Sequence, residues 1–430
     1  MKRLRFLFVL VSLTMVSSSV SAQEKTETVK SGWNVGLLPA FYYNNDLGFS
    51  AGILGQIFDY GDGSVYPNYR HKFMANVNFY SRGAKQIVLN YDSKNLIPGK
   101  RITADLSYMN NPLCGFYGFN GAVSPYHAEL DMKKSADETD GIAFYSNHQR
   151  LLNAKIDIQG SIARNLTWIG GLSYAYQHYD DTRFRVYDGT ESLFHQYVEN
   201  GLIPKSDTHG HRIELKAGVV YDSRDFEPNP EHGMYATVNM TGGTRFSNGT
   251  VSSLVLTTDF RHYYPIIPSR LILAYQLSSK TLVAGSLPYY ALPSFPMRGT
   301  FGSRITGNGV AWGSADLRLC ITRFRAFKQN FELGLVGIAD AGAVILPYKL
   351  SEQSSLGSVQ VSRTLDGITY GPYASIYDPA IAEHEHIHFS AGGGFWYSMN
   401  KNFIVAVEFG KPLNTQDGTL GLYINLGFSF

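Results

Sequence analysis

The sequence predicts an all-β fold: a transmembrane antiparallel β-barrel of about sixteen strands. Three observations carry that prediction. Apolar residues recur with period two along almost the whole chain, the links between alternating segments sort into long and short sets, and the composition is unusual. Charged residues are 17% and aromatics 14% of 430 residues, with 29 Tyr, 26 Phe and 43 Gly. Low charge with abundant aromatics and glycine fits aromatic girdles around a polar, close-packed interior. A secreted β-sandwich or β-helix is the competing class.

The alternation is clearest at the C-terminus. In LGLYINLGFSF, Leu420, Leu422, Ile424, Leu426, Phe428 and Phe430 share one face, opposite Gly421, Tyr423, Asn425, Gly427 and Ser429. The preceding segment sets Phe403, Val405, Val407 and Phe409 against Ala406, Glu408 and Gly410. In RIELKAGVVY, Ile213, Leu215, Ala217, Val219 and Tyr221 oppose Arg212, Glu214 and Lys216. A soluble sandwich turns such charged faces to solvent, whereas a membrane barrel turns them into its lumen and its apolar faces to lipid.

Spacing separates these classes. Strands of ten or so residues, counted from Trp33 to Phe430, give an even total, as bacterial barrels require. With the first strand rising from the periplasm, the long links 110–149, 178–209, 283–309 and 345–385 fall on one side. The short links 163–166, 264–270 and 398–402 fall on the other, although 60–71 is longer than a turn requires. Long loops outside and short turns inside are the arrangement of an outer-membrane barrel. This topology puts Cys114 in an outer loop and Cys320 near the inner end of a strand, so the two are expected to remain unpaired.

The N-terminus fits export. Lys2, Arg3 and Arg5 precede an apolar run from Phe6 to Val16, and Val20-Ser21-Ala22 supplies a small-residue cleavage site. Residues 1–22 therefore read as a secretory signal peptide, 23–32 as a short periplasmic extension and 33–430 as the barrel. Removing the three basic signal residues from 37 Lys+Arg leaves 34 against 35 Asp+Glu, a balance with no global pull toward nucleic acid.

One turn is charged and proline-bearing between two alternating strands: DSRDFEPNPEHG, residues 222–233. It resembles the D-x-R-D…P…G turn of the BamA/TamA-type outer-membrane assembly barrels, the bacterial surface antigen superfamily. Three further stretches resemble that family in order. FYGFNG (116–121) matches its aromatic-glycine motif, MRGTFGSRITGNGVAWGSADLRL (297–319) the arginine-glycine tip of the sixth outer loop and the following strand, and GIADAG (337–342) its F-x-D-x-G strand motif. The terminal Phe430 closes a barrel-assembly signal. Two positions depart from the pattern: Phe301 stands one residue later than the usual aromatic, and Asp316 replaces the usual glutamate. Residues 23–32 are too few for a POTRA domain, so the chain resembles a member without one.

The resemblance implies a sixth loop folded into the lumen, with Arg298 and Gly299 at its tip and Asp316 and Asp340 as the acids that lock it. It also implies a lateral seam between the first and last strands, with Gly36, Pro39, Phe428 and Phe430 as its residues. Gly36 and Pro39 are poor sheet formers, which weakens that junction on independent grounds. In the charged turn, Asp222, Arg224, Asp225, Pro228 and Gly233 read as a register lock at the periplasmic ends of the eighth and ninth strands. Its flanks Val219, Tyr221, Met234 and Ala236 are expected to face lipid.

Weaker signals complete the inventory. EHEHIH puts His384, His386 and His388 on one strand face, a spacing that could hold a transition metal, although loop-rim histidines are commoner. GFSAG places Ser50 in a nucleophile-like pattern within a strand, without the strand-to-helix elbow such a serine needs. DYGDG (59–63) is a fragment of a calcium loop and reads as a turn, and DMKKSADETDG (131–141) reads as a solvated loop. The expected role is non-enzymatic and cofactor-free: outer-membrane biogenesis, with outer-membrane lipid as surroundings and a second copy or an accessory periplasmic or membrane protein as partner. A passive channel is the alternative, and a lipid hydrolase built on Ser50 or the histidine strand ranks below it.

Overall fold

The computed structural model describes residues 29–430 except 45–46, 67, 247–248, 327–328, 356–359, 375–384, 400 and 402. The signal segment and most of the N-terminal extension therefore lie outside the described residues.

Sixteen strands close an antiparallel barrel in sequence order. We number them β1 (Trp33–Asn44), β2 (Gly48–Asp59), β3 (His71–Tyr80), β4 (Lys85–Ile97), β5 (Lys100–Gly115), β6 (Ser146–Ala163), β7 (Leu166–Asp181) and β8 (His209–Asp222). The second half comprises β9 (Gly233–Phe246), β10 (Thr250–Ile267), β11 (Leu271–Gly285), β12 (Gly309–Ala326), β13 (Gln329–Leu346), β14 (His388–Met399), β15 (Phe403–Pro412) and β16 (Gly421–Leu426). Among the described residues, no helix is long and apolar enough to cross a membrane. The crossing is made by strands, whose backbone groups satisfy one another around the wall.

Period two decides which side chains meet lipid. On β8, Ile213, Leu215 and Val219 are exposed while Arg212, next to Ile213, is buried. On β12 and β13, Leu317 and Leu335 point out, while Asp316, Arg318 and Asp340 are buried inside.

The wall is uneven in height. Far from the seam, β6, β10, β12 and β13 each run 18 residues. Beside it, β1, β2 and β3 have 12, 12 and 10 residues, and β14, β15 and β16 have 12, 10 and 6. A tilted strand needs about 9–11 residues to cross the hydrocarbon core. The tall strands thus rise beyond the bilayer, whereas β16 is too short to cross it. The expected typical length of ten or so residues holds beside the seam but not for the 18-residue strands or for β16, because alternation marks a face without marking where a strand leaves the membrane. Cys114 accordingly sits at the outer end of β5 and Cys320 in the inner half of β12, and both remain thiols.

The tall strands carry a folded outer cap. Its aromatic core joins Phe116, Phe119, Phe144, Phe194, Tyr197 and Tyr289 from three different outer loops. Helix α1 (Leu193–Glu199) buries Leu193, Phe194 and Tyr197 in that core and is capped by Ser192, whose hydroxyl accepts from the His195 amide at 3.1 Å. A three-stranded sheet (Gly141–Ile142, Arg183–Phe184, Tyr187–Asp188) ties two of these loops together.

Candidate functional site

Three regions of the lumen gather the residues singled out from sequence. The first surrounds Arg298. Its backbone N–H donates to Asp340 Oδ2 at 3.0 Å, its Nε to the same oxygen at 2.9 Å, and its Nη2 to Asp340 Oδ1 at 2.6 Å. Nη1 donates to Asp316 Oδ1 at 2.9 Å and lies 3.5 Å from Glu408 Oε1. These carboxylates come from β12, β13 and β15, so one guanidinium ties three strands to the 286–308 link. Gly299 has φ +91, and a Cβ there would lie 2.6 Å from the Gly410 carbonyl oxygen. A Cβ on Gly410 would in turn meet the Arg298 Cβ at 2.5 Å. Glycine at both positions permits this close backbone approach. Glu408 was legible only as an inward acid on β15, since no local spacing links it to Arg298.

The same link carries a second arginine that sequence reading missed. Arg304 is 1% exposed and donates to three backbone carbonyls: Gln416 at 2.9 Å, Gly121 at 2.8 Å and Ser124 at 2.7 Å. Burial pushes its guanidinium below the ordinary arginine value, against the pull of Asp417. Phe301, the displaced aromatic, stacks on Tyr117 with centroids 5.0 Å apart. Within the FYGFNG stretch, the Asn120 side chain bonds the Tyr348 backbone in both directions, at 2.8 and 2.6 Å.

The second region is the charged turn. Arg224 grips Asp222 through Nε at 2.9 Å and Nη2 at 2.8 Å. Asp225 Oδ1 accepts from the amides of Glu231 and His232 at 3.0 and 3.2 Å. Gly233 has φ +104, and a Cβ there would lie 2.3 Å from the Ser223 carbonyl oxygen. Pro228 is exposed at the crest of the turn. The turn does more than hold two strands in register. Glu227 accepts from Arg101 of β5 at 3.1 Å, while Glu231 accepts from Ser269 at 2.8 Å and from Lys401 at 3.4 Å. It is a strap across the inner mouth, from β5 to the β10–β11 and β14–β15 turns. The overlong 60–71 link lies at the same mouth, where Tyr69 donates to Asp92 at 2.6 Å and Arg101 also grips Asp92, at 2.9 and 2.7 Å.

The third region is the junction of β1 with β16. Along β2, all twelve residues of β1 have register partners. Toward β16, among the described residues, one pair is made, Tyr43 with Ile424, and residues 33–42 have no register partner there. Gly36 and Pro39 lie in the stretch of β1 below that pair. Phe428 and Phe430, expected on the seam, are instead inside the barrel. Gly427 has φ +99 and turns the chain inward. Phe428 then packs edge-on against Trp396, and Phe430 joins Tyr263, Ile272 and Ala274. Arg318 draws the tail in: its Nη2 donates to the Phe430 carbonyl at 3.0 Å, and its guanidinium lies 3.8 Å from the Phe428 ring centre.

The histidine strand and Ser50 are placed differently. His388 lies 2.6 Å from Glu385 Oε1 through Nε2 and 2.8 Å from Asp417 Oδ2 through Nδ1, the latter without hydrogen-bond alignment. Both its nitrogens thus face carboxylates; His386 is exposed, and His384 lies outside the described residues. Among the described residues, no group of three or more His, Cys, Asp or Glu side chains could hold a metal ion. Ser50 is buried within β2, and its hydroxyl makes no hydrogen bond among the described residues.

Comparison with known proteins matches this architecture. The Omp85 superfamily domain matches residues 97–430. The chain belongs to the Omp85 superfamily. Two solved structures of this barrel type are similar in fold. BamA from Haemophilus ducreyi, in a crystal structure lacking POTRA domains 1-3, superposes with TM-score 0.53 at 13% identity, covering 93% of this chain and 70% of that one. CdiB from Escherichia coli gives TM-score 0.53 at 9% identity, covering 94% of this chain and 64% of that one, so this Omp85 chain spans less than two thirds of CdiB. Comparison with curated proteins returns no match.

Proposed function

We propose that this Omp85 barrel acts without catalysis in outer-membrane biogenesis, in the outer membrane of a Gram-negative bacterium, by letting protein or lipid enter the bilayer at the β1–β16 seam. One observation carries the reading: among the described residues, β1 has twelve partners on β2 and one on β16, with none for residues 33–42. Below Tyr43, residues 33–42 present a strand edge, and unpaired backbone groups are costly in hydrocarbon. The seam also lies in the low part of the wall, where β16 has six residues. In this reading the Arg298 link folds into the lumen as a lock that holds β12, β13 and β15 together on the β16 side of the seam. Client capture then requires an accessory protein or a second copy.

The test is a disulfide across the one pair, Tyr43→Cys with Ile424→Cys, in a host depleted of the native chain. Loss of complementation that is reversed by reductant supports the seam, whereas full complementation by the oxidised form rejects it. A passive channel is the competing reading. The Arg298 link and the strap both line the luminal chamber, which favours brief, sporadic openings in planar bilayers over a steady conductance.

A further inference from the structure

The wall beside the seam has a different chemistry on each face. Outside, Val35, Leu37, Gly55, Ala75, Leu89 and Leu106 line the seam side of an apolar groove of about 850 Å³ that runs across β1–β7. Small residues on β2 and β3 hollow it, since Leu37, Gly55, Ala75, Leu89 and Leu106 stand in direct register. Its volume lies in the ~300–1,000 Å³ range of pockets that enclose a ligand. In a bilayer only hydrocarbon can fill it.

Inside, the same strands face a chamber of about 1550 Å³. Its upper wall is neutral and rich in hydrogen-bonding groups: Tyr42, Asn76, Asn78, Tyr80 and Gln86. Asn76 donates to the Tyr42 hydroxyl at 3.2 Å, and Tyr80 donates to Gln86 at 2.9 Å. Asn76 Oδ1 and both amide atoms of Asn78 have no hydrogen-bond partner, and Asn78 is 1% exposed. A buried amide without partners is costly unless something supplies them. Below Tyr42 the inner face of β1 is open at Gly36, where a Cβ would meet nothing within 4 Å. The chamber's lysines Lys30, Lys72 and Lys94 sit lower, toward the inner mouth, where Arg101 is held by Asp92 and Glu227. Amides and phenols without a free cation suit hydroxyl groups and not a phosphate, which calls for arginine or lysine.

Groove and chamber meet at the unpaired edge of β1. We propose that this edge binds a diacyl glycolipid, with its hydrocarbon chains in the outer groove and an uncharged sugar head turned round residues 33–42 into the chamber. The inference rests on the seam reading and names its substrate class. It also explains why one wall is apolar and hollow outside yet neutral and polar inside.

The test uses the full barrel in a polyoxyethylene detergent, whose head carries no sugar. Monogalactosyl diacylglycerol, phosphatidylglycerol and diacylglycerol are offered separately, and retained lipid is read by native mass spectrometry. The galactolipid is expected to be retained on the order of tenfold more strongly than either other lipid. Gly55→Leu, at a position with room for a side chain, should lower retention of all three lipids. Asn76→Leu with Gln86→Leu should lower only the galactolipid, with the folded band on a gel confirming an intact barrel. Equal or better retention of phosphatidylglycerol, or indifference to the luminal substitutions, overturns the proposal. If the seam disulfide abolishes complementation yet no galactolipid preference exists, the seam stands and the lipid class falls. A galactolipid preference with a harmless disulfide keeps the binding site and removes the seam.

Discussion

Arg298 and Asp340 are joined by three hydrogen bonds, one from the arginine backbone and two from its guanidinium, at 3.0, 2.9 and 2.6 Å. Both residues are buried, as are Asp316 and Glu408 beside them. Removing the cation strands these carboxylates in a low-dielectric site. Arg298→Ala should therefore cost about 3–5 kcal/mol and lower the temperature at which the folded band is lost on a gel. Arg298→Lys should rescue little, because an ammonium cannot reproduce the paired donors. An unchanged transition in the alanine variant removes the case for a lock.

Arg304 predicts a different failure. Its three acceptors are backbone carbonyls of the cap and of the 413–420 link, so its loss leaves the wall intact and loosens the outside. Arg304→Ala should expose the 116–145 loop to added protease in intact cells, while the barrel still migrates as folded. Protection equal to that of the native chain would show that the aromatic core alone holds the cap.

The strap should be acid-sensitive. Burial alone would raise the Glu231 carboxyl, but the Ser269 hydroxyl and the cations of Lys401 and Arg323 bring it below its ordinary 4.5. A depressed carboxyl stabilises the folded strap above that ordinary value, and the contribution is lost as pH falls through the lower folded value. Acidifying through the Glu231 carboxyl's lowered value should thus release the strap and raise conductance. Glu231→Gln should abolish that pH step. A step that survives the substitution assigns it to other groups.

Gly427 turns the C-terminal residues away from the seam. Replacing it with valine puts a β-branched residue at φ +99, at a cost of about 1–2 kcal/mol, and favours continued pairing along β1. Slower amide hydrogen exchange across residues 33–42 is the expected result. Unchanged exchange would mean that Arg318 and the aromatic pocket hold the tail in without help from the glycine.

The sequence made much of this legible because period two reports directly on faces. The turn between β8 and β9, the inward set of Asp316, Arg318 and Asp340, and the outward set of Ile213, Leu215 and Val219 all follow from alternation. Alternation is silent on where a strand stops, so the six residues of β16 and the inward path of Phe428 and Phe430 were misplaced. The sole local signal was Gly427, one glycine among 43. Contacts across the lumen were equally hidden. Arg101 on β5 meets Glu227 of a distant turn, and Arg304 meets Gly121 of another outer loop, between segments that share no spacing pattern. Glu408 was visible as an inward acid, but its partner is set by closure of the barrel.

The central claim is that material engages the barrel along the lower half of β1. Site-specific photo-crosslinking in living cells tests it most directly, with the probe at Leu37 on β1 and, as control, at Leu215 on β8. These positions are 70% and 66% exposed, so accessibility does not separate them. Adducts with lipid or a client chain at position 37, absent at 215, are the predicted result. The same adducts at both positions, or none at 37, would contradict it.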